Sequence, residues 1–180
     1  DWLLGIELQF KYRQWLKGVV VEYISSKYQS GPIYHDHTQG NKNHVGGNDN
    51  YYNHYIYPGW QHWGQAMGNP LFRSPIYNED GNIYFYDNRF KAFHIGFNGS
   101  PIANLDYRVL ATYQEGFGTY EIPFAKKQYN TSFMFEAAYH LPHNWHVTAA
   151  YGMDFGKLLG DNSGFQLTIR KNGILGKVKK

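Results

Sequence analysis

The sequence predicts an all-β chain, and within that class a transmembrane antiparallel up-and-down β-barrel of which it carries about the last seven strands. Three observations lead there. Apolar residues recur at every second position through most of the chain, with little helical periodicity. Several alternating runs reach roughly 9–11 residues, the length a tilted strand needs to cross a bilayer, where a strand of a soluble sandwich is nearer 5–6. The connections alternate between short and long, as periplasmic turns and external loops do.

The elements follow in order. Leu4, Ile6, Leu8 and Phe10 alternate with Gly5, Glu7, Gln9 and Lys11. Val19, Val21 and Tyr23 oppose Val20, Glu22 and Ile24, a less regular pattern. Phe93, Ile95 and Phe97 oppose Ala92, His94 and Gly96. Leu105, Tyr107, Val109, Ala111 and Tyr113 oppose Asp106, Arg108, Leu110, Thr112 and Gln114. Phe133, Phe135, Ala137, Tyr139 and Leu141 oppose Ser132, Met134, Glu136, Ala138 and His140. Trp145, Val147, Ala149, Tyr151 and Met153 oppose His146, Thr148, Ala150, Gly152 and Asp154, and Phe165, Leu167 and Ile169 oppose Gln166, Thr168 and Arg170. Trp2, Tyr12, Trp15, Tyr28, Tyr113, Trp145, Tyr151 and Phe155 fall near strand ends, where interfacial girdles lie. A soluble sandwich also alternates, so a wet second sheet face is the competing reading.

Short connections are expected at Lys11–Lys17, Asn98–Asn104 and Pro142–Asn144; longer ones at Gln29–Asn88, Gly116–Asn130 and Phe155–Ser163. Assigning the short turns to the periplasm puts the C-terminus there too. About seven strands then place the N-terminus outside, whereas a complete bacterial barrel has an even number of strands. The chain also begins inside a strand, at Asp1-Trp2-Leu3. The expectation is a C-terminal part of one larger barrel domain spanning residues 1–180, with the remaining strands on the same or another chain, because open edges are not tolerated in lipid.

Composition narrows the function. In 180 residues, 17 Lys and Arg face 14 Asp and Glu, a net +3 too small to mark a nucleic-acid binder. Cys is absent, which excludes disulfide scaffolds, thiolate metal sites and thiol catalysis. Aromatics are 19% of the chain, which excludes intrinsic disorder. The mean hydropathy of −0.59 is no argument against a barrel, whose strands are only half apolar.

Loops as long as Gln29–Asn88 are usually functional. Sugar recognition needs flat aromatic faces for C–H patches and planar amides or carboxylates for paired hydroxyls. Tyr51, Tyr52, Tyr55, Tyr57, Trp60 and Trp63 supply the first; Asn48, Asp49, Asn50, Asn53 and Gln61 supply the second. The alternative is that the same residues pack as a plug inside the lumen. His35, Asp36 and His37, with His44, Asp49 or His54, invite a metal reading, but structural or solvated histidines fit such a loop better and no metal is assigned. Ser30 or Ser74 can be set beside His35 or His54 and Asp36 or Asp49, yet no GxSxG elbow or HExxH helix is present, and no enzyme and no cofactor are expected. Glu7, Glu22, Asp106, Arg108, Glu136 and Arg170 face the lumen on the barrel assignment, either as cross-strand ion pairs or as the eyelet of a selective pore.

The strings SGPIYHD, NDNYYNHYIYPGWQHWGQAMGNPL, FHIGFNG, LDYRVLATY and LTIRKNG carry a resemblance. They resemble the C-terminal part of the Wzi family of capsule assembly proteins, in its Bacteroidetes branch, over nearly the whole chain. The family's chains are far longer, and Lys177–Lys180 extend past the last strand. The resemblance implies an outer-membrane barrel of about eighteen strands that binds or anchors capsular polysaccharide at the cell surface, as a lectin-like protein rather than an enzyme. Lys126, Lys127 and Lys157, expected in external loops, then steer an acidic polysaccharide. Expected partners are outer-membrane lipid, surface polysaccharide and the remaining strands of the barrel, with no nucleic acid. A porin and a structural subunit of a larger outer-membrane assembly are the alternatives.

Overall fold

A computed structural model describes residues 1–11, 14–29, 50–53 and 60–173. The long strands are β1 (Trp2–Gln9), β2 (Gly18–Ser25), β5 (Phe90–Ile102), β6 (Leu105–Gly118), β7 (Pro123–Leu141), β8 (Trp145–Gly156) and β9 (Asn162–Lys171). They form one seven-stranded sheet in the order β1-β2-β5-β6-β7-β8-β9, every neighbouring pair antiparallel. Among the described residues the sheet is open, with β1 and β9 as its edges. The all-β class and the seven main strands are as the alternation predicts.

The register puts the predicted apolar sets on one face. Ile6 lies across from Val21, Val21 from Ile95, Ile95 from Ala111, Ala111 from Phe133, Phe133 from Met153 and Met153 from Ser163. The rungs on either side are equally apolar: Leu8, Val19, Phe97, Val109, Phe135, Tyr151 and Phe165 lie on one of them. This face is bare, with Ile6 and Phe165 each 69% exposed and Phe135 52%. The other face carries Glu7, Glu22, His94, Arg108, Glu136, Asp154 and Arg170.

Hairpin connections sort by end. The β1–β2, β5–β6 and β7–β8 connections close one end, with Asn104, His143 and Asn144 in the left-handed region that such tight turns require. The described parts of the β2–β5 connection (26–29, 50–53 and 60–89) and segments 119–122 and 157–161 lie at the other end. Three expectations need correction. The stretch Asn98–Asn104 is strand as far as Ile102, which pairs with Leu105 across a two-residue turn. The stretch Gly116–Asn130 is mostly strand, because β6 and β7 continue their ladder through Glu115 opposite Tyr129 and Gly116 opposite Gln128. Apolar alternation lapses there, but backbone pairing does not need apolar side chains. The strands β5, β6 and β7 accordingly run to 13, 14 and 19 residues, longer than the alternation alone marks. The long loop also has regular structure of its own: β3 (Gln61–His62), β4 (Gln65–Ala66) and a 3₁₀ turn at Pro75–Tyr77.

The small buried core lies where this loop folds onto the polar side of the sheet. Phe72 and Phe85 from the loop meet Phe90 and Ala92 of β5, with Ile24, Tyr51, Tyr52, Ala66 and Leu71 packed around them. Gln114 Nε2 donates to Leu71 O at 3.1 Å, tying the loop to β6.

Candidate functional site

The predicted loop residues divide into two groups. Tyr52 sits between Phe72 and Phe85, with ring centroids 4.5 and 4.7 Å away, and its hydroxyl donates to Met67 O at 2.9 Å. Burial pushes that hydroxyl's pKa above its ordinary value. Tyr51 packs against the same core. Asn53 clasps the backbone of Phe85 in both directions: Oδ1 accepts from Phe85 N at 2.8 Å and Nδ2 donates to Phe85 O at 2.9 Å. Asn50 Oδ1 accepts from Asn53 and, at 2.5 Å, from Asn88 Nδ2, which also donates to Tyr51 O at 2.6 Å. Asn88 is fully buried, and its carbonyl accepts from Ser26 Oγ and Gln29 Nε2. These aromatics and amides are therefore spent on fastening the loop to β2 and β5. A sugar cannot stack on a ring already flanked by Phe72 and Phe85.

Trp60, Gln61 and Trp63 form the second group. β3 and β4 make a miniature hairpin whose two turn residues, Trp63 and Gly64, have φ values of 50° and 75°. Positive φ at both positions is the geometry that matches strand twist in a two-residue hairpin, and it sends the Trp63 side chain outward. The turn is braced by Gly64 N donating to Gln61 Oε1 at 2.6 Å and by Ile76 N donating to Gly64 O at 2.9 Å. Trp60 O accepts from Met67 N at 2.9 Å. The indoles stay in the open: Trp63 is 85% exposed and Trp60 61%. Beside them lies a shallow cleft of about 510 Å³ lined by Gln61, His62, Trp63, Ile76 and Ile83. This site offers an exposed aromatic plane next to an imidazole on a braced turn.

Asn48, Asp49, Tyr55 and Tyr57 lie outside the described residues, as do Ser30, His35, Asp36, His37, His44 and His54. Ser74 Oγ accepts from Ala66 N at 3.0 Å, a brace within the hairpin region. The predicted loop cations are corrected in position. Lys126 and Lys127 are in β7, on alternate faces, and only Lys157 is in a turn. Lys127 Nζ lies 3.4 Å from Glu115 Oε2.

On the polar face, Arg108 and Glu136 do pair across β6 and β7, at 3.2 Å. Both are partly solvated, so the pair contributes little. Asp106 pairs with His140 Nε2 at 2.7 Å rather than with an Arg or Lys, and also accepts from Ser100 Oγ. His140 Nδ1 lies 2.7 Å from His146 Nδ1. Glu7 accepts from Gln9 Nε2 at 2.9 Å. Glu22 and Arg170 form no ion pair among the described residues. Glu22 instead lines a cleft of about 520 Å³ with His94 and Asp154, under Asn69–Leu71.

Sequence reasoning missed Asp87. Its side chain is buried, and Oδ1 accepts from Phe117 N at 3.1 Å and Gly118 N at 2.9 Å. Burial pushes its pKa up to about 7 against the pull of those two amides and of Arg89 and Arg73. Nothing in the local string Tyr86-Asp87-Asn88 marks the aspartate as buried.

In comparison with known proteins, the chain matches no family model, no curated protein and no solved structure.

Proposed function

We propose that the seven-stranded sheet is part of the wall of an outer-membrane β-barrel, and that its loop end binds surface polysaccharide without breaking bonds. The observation that carries the binding half is the Trp60–Trp63 hairpin, which holds two indoles in solvent on a braced turn. Exposed aromatic planes beside polar groups are what a sugar's C–H patches and hydroxyls require.

The apolar face supports the membrane half. It runs across seven strands without a charge between its aromatic ends, with Leu4, Phe97, Phe135 and Leu167 among its exposed side chains, a contiguity that soluble monomers rarely show. The turns at the short end also form a staircase. The β1–β2 turn leaves from the rung of Gln9 and Gly18, β5–β6 closes further along at Ile102 and Leu105, and β7–β8 further still at Leu141 and Trp145. Such stagger belongs to strands tilted in a sheared barrel wall. On this reading the polar face lines the lumen and the loop core sits inside the mouth, leaving the hairpin as the outward-looking part. The resemblance to capsule assembly proteins points to capsular polysaccharide as the ligand.

The test is equilibrium binding of the full-length protein, in detergent, to purified polysaccharide from its own cell surface. Trp60→Ala with Trp63→Ala is expected to abolish binding and leave the unfolding temperature nearly unchanged, since neither side chain is buried. Undiminished binding by the variant removes the hairpin from the site. No binding by wild type, together with ion currents across a planar bilayer, gives the channel reading precedence.

A further inference from the structure

The apolar face ends, on the long-loop side, in a cluster of cations of which the polysaccharide reading uses Lys127 alone. Tyr23, Phe93 and Tyr113 share one aromatic rung near its end. The next rung outward holds Ser25, Lys91, Glu115 and Tyr129, and Tyr129 stacks on Tyr113 at 6.1 Å. Beyond it, Phe117 lies beside Arg89, through a Phe117 N to Arg89 O bond of 2.8 Å. Two ammonium groups converge on the Phe117 ring: Lys27 Nζ at 5.2 Å and Lys127 Nζ at 5.6 Å. The Arg89 guanidinium lies 3.8 Å over Tyr120.

Lys27, Lys91, Lys127 and Arg89 thus face the carboxylates Glu115 and Asp1, with the buried Asp87 on the side of Arg89. Glu115 is engaged by Lys127, and Asp1 accepts from Tyr28 N. Among the described residues Lys27 and Lys91 form no ion pair. Directly beneath Lys91 and Glu115, which both line its mouth, a groove of about 220 Å³ runs between Tyr23, Phe93 and Tyr113 on the apolar face. An apolar groove that opens into an excess of positive charge fits an amphiphile with an anionic head.

We propose that this corner binds a phosphorylated glycolipid of the outer leaflet, its phosphates on Lys27, Lys91 and Lys127 and one acyl chain along the Tyr23–Phe93–Tyr113 groove. The inference rests on the membrane reading above. The spacing agrees with it: successive same-face rungs are about 7 Å apart, and a leaflet's headgroup zone is roughly 5–8 Å deep. Arg89 is not assigned to the phosphates, because its Nε and Nη1 already donate to Lys27 O and Thr119 O.

The test uses the full-length protein in detergent with three probes: bis-phosphorylated lipid A, the same lipid after phosphatase treatment, and inorganic phosphate. Wild type is expected to retain the phosphorylated lipid in native mass spectrometry and to lose most of that affinity for the dephosphorylated one. Replacing Lys27, Lys91 and Lys127 together by Gln should weaken retention on the order of a hundredfold, and replacing them by Arg should preserve it. Equal retention of the two lipids, or an unaffected Gln variant, overturns the proposal while leaving the barrel intact. Displacement of the lipid by millimolar inorganic phosphate overturns the assignment to a lipid. Release of the protein from membranes by alkaline carbonate without detergent overturns the membrane reading and this inference with it.

Discussion

Ala149 and Ala150 are neighbours of equal size on opposite faces of β8, which makes them a matched probe of what each face touches. Ala149 lies between Ala137 and Leu167 on the apolar face; Ala150 lies between Glu136 and Gln166 on the polar face. Ala149 is four residues from Trp145, about 13 Å along the strand, which on the proposed barrel reading puts it well inside an apolar band about 25 Å tall. A lysine there should cost about 2–4 kcal/mol, a fall of about 30- to 1,000-fold in the folding equilibrium. Ala150→Lys should be close to neutral, because its ammonium enters a wet face opposite the Glu136 carboxylate. A third substitution separates lipid from a second protein layer. Ala149→Leu should be tolerated against fluid acyl chains, whereas overpacking a sheet-on-sheet core costs about 1–3 kcal/mol. The assay is reversible denaturant unfolding in lipid vesicles, followed by tryptophan fluorescence. A neutral Ala149→Lys, or a penalty for Ala149→Leu as large as that for a core, would falsify the assignment of this face to lipid.

Further outcomes follow from the loop. Asp87 has its folded pKa raised from 3.8 to about 7 by burial, so folding favours its protonated form. Its stabilisation is full below the ordinary carboxyl pKa and is lost as pH rises through 7. Asp87→Asn, which keeps an acceptor for Phe117 N and Gly118 N, should therefore gain in unfolding temperature relative to wild type between pH 5 and pH 8; a difference independent of pH contradicts the burial argument. Phe85→Ala should cost about 3–5 kcal/mol in the loop core, and Asn53→Ala about 1–3 kcal/mol by orphaning the Phe85 backbone groups. Both should show as faster proteolysis within 60–89 while the far-ultraviolet β signal of the sheet persists. Sheet loss in step with loop cleavage would show that the loop is integral to the sheet.

The sheet was legible because its faces are chemically distinct. Phe93, Ile95 and Phe97 alternate with Ala92, His94 and Gly96, and a register slip of one residue would exchange the two sets. Where that contrast fades the reading fails, as from Gly116 to Asn130, where polar side chains ride on a ladder that backbone bonds alone continue. The loop was less legible for a different reason. Tyr and Asn are the residues of a sugar site and equally of a packed, hydrogen-bonded core, so composition cannot separate Tyr52 from Trp63. What separates them is position: Tyr52 meets Phe72 and Phe85, while Trp63 occupies a turn that turns its ring away from the chain. The burial of Asp87 depends on Gly116, Phe117 and Gly118 of β6, about thirty residues away, and no local pattern reports it.

The central claim is that the exposed indoles of the β3–β4 hairpin are the surface that meets polysaccharide. Hydroxyl-radical footprinting of the full-length protein, with and without its own surface polysaccharide, tests this on the wild-type chain. Trp60 and Trp63 are expected to become protected while Trp2, Trp15 and Trp145 keep their oxidation rates. Unchanged rates at both hairpin tryptophans in the presence of bound polysaccharide contradict it.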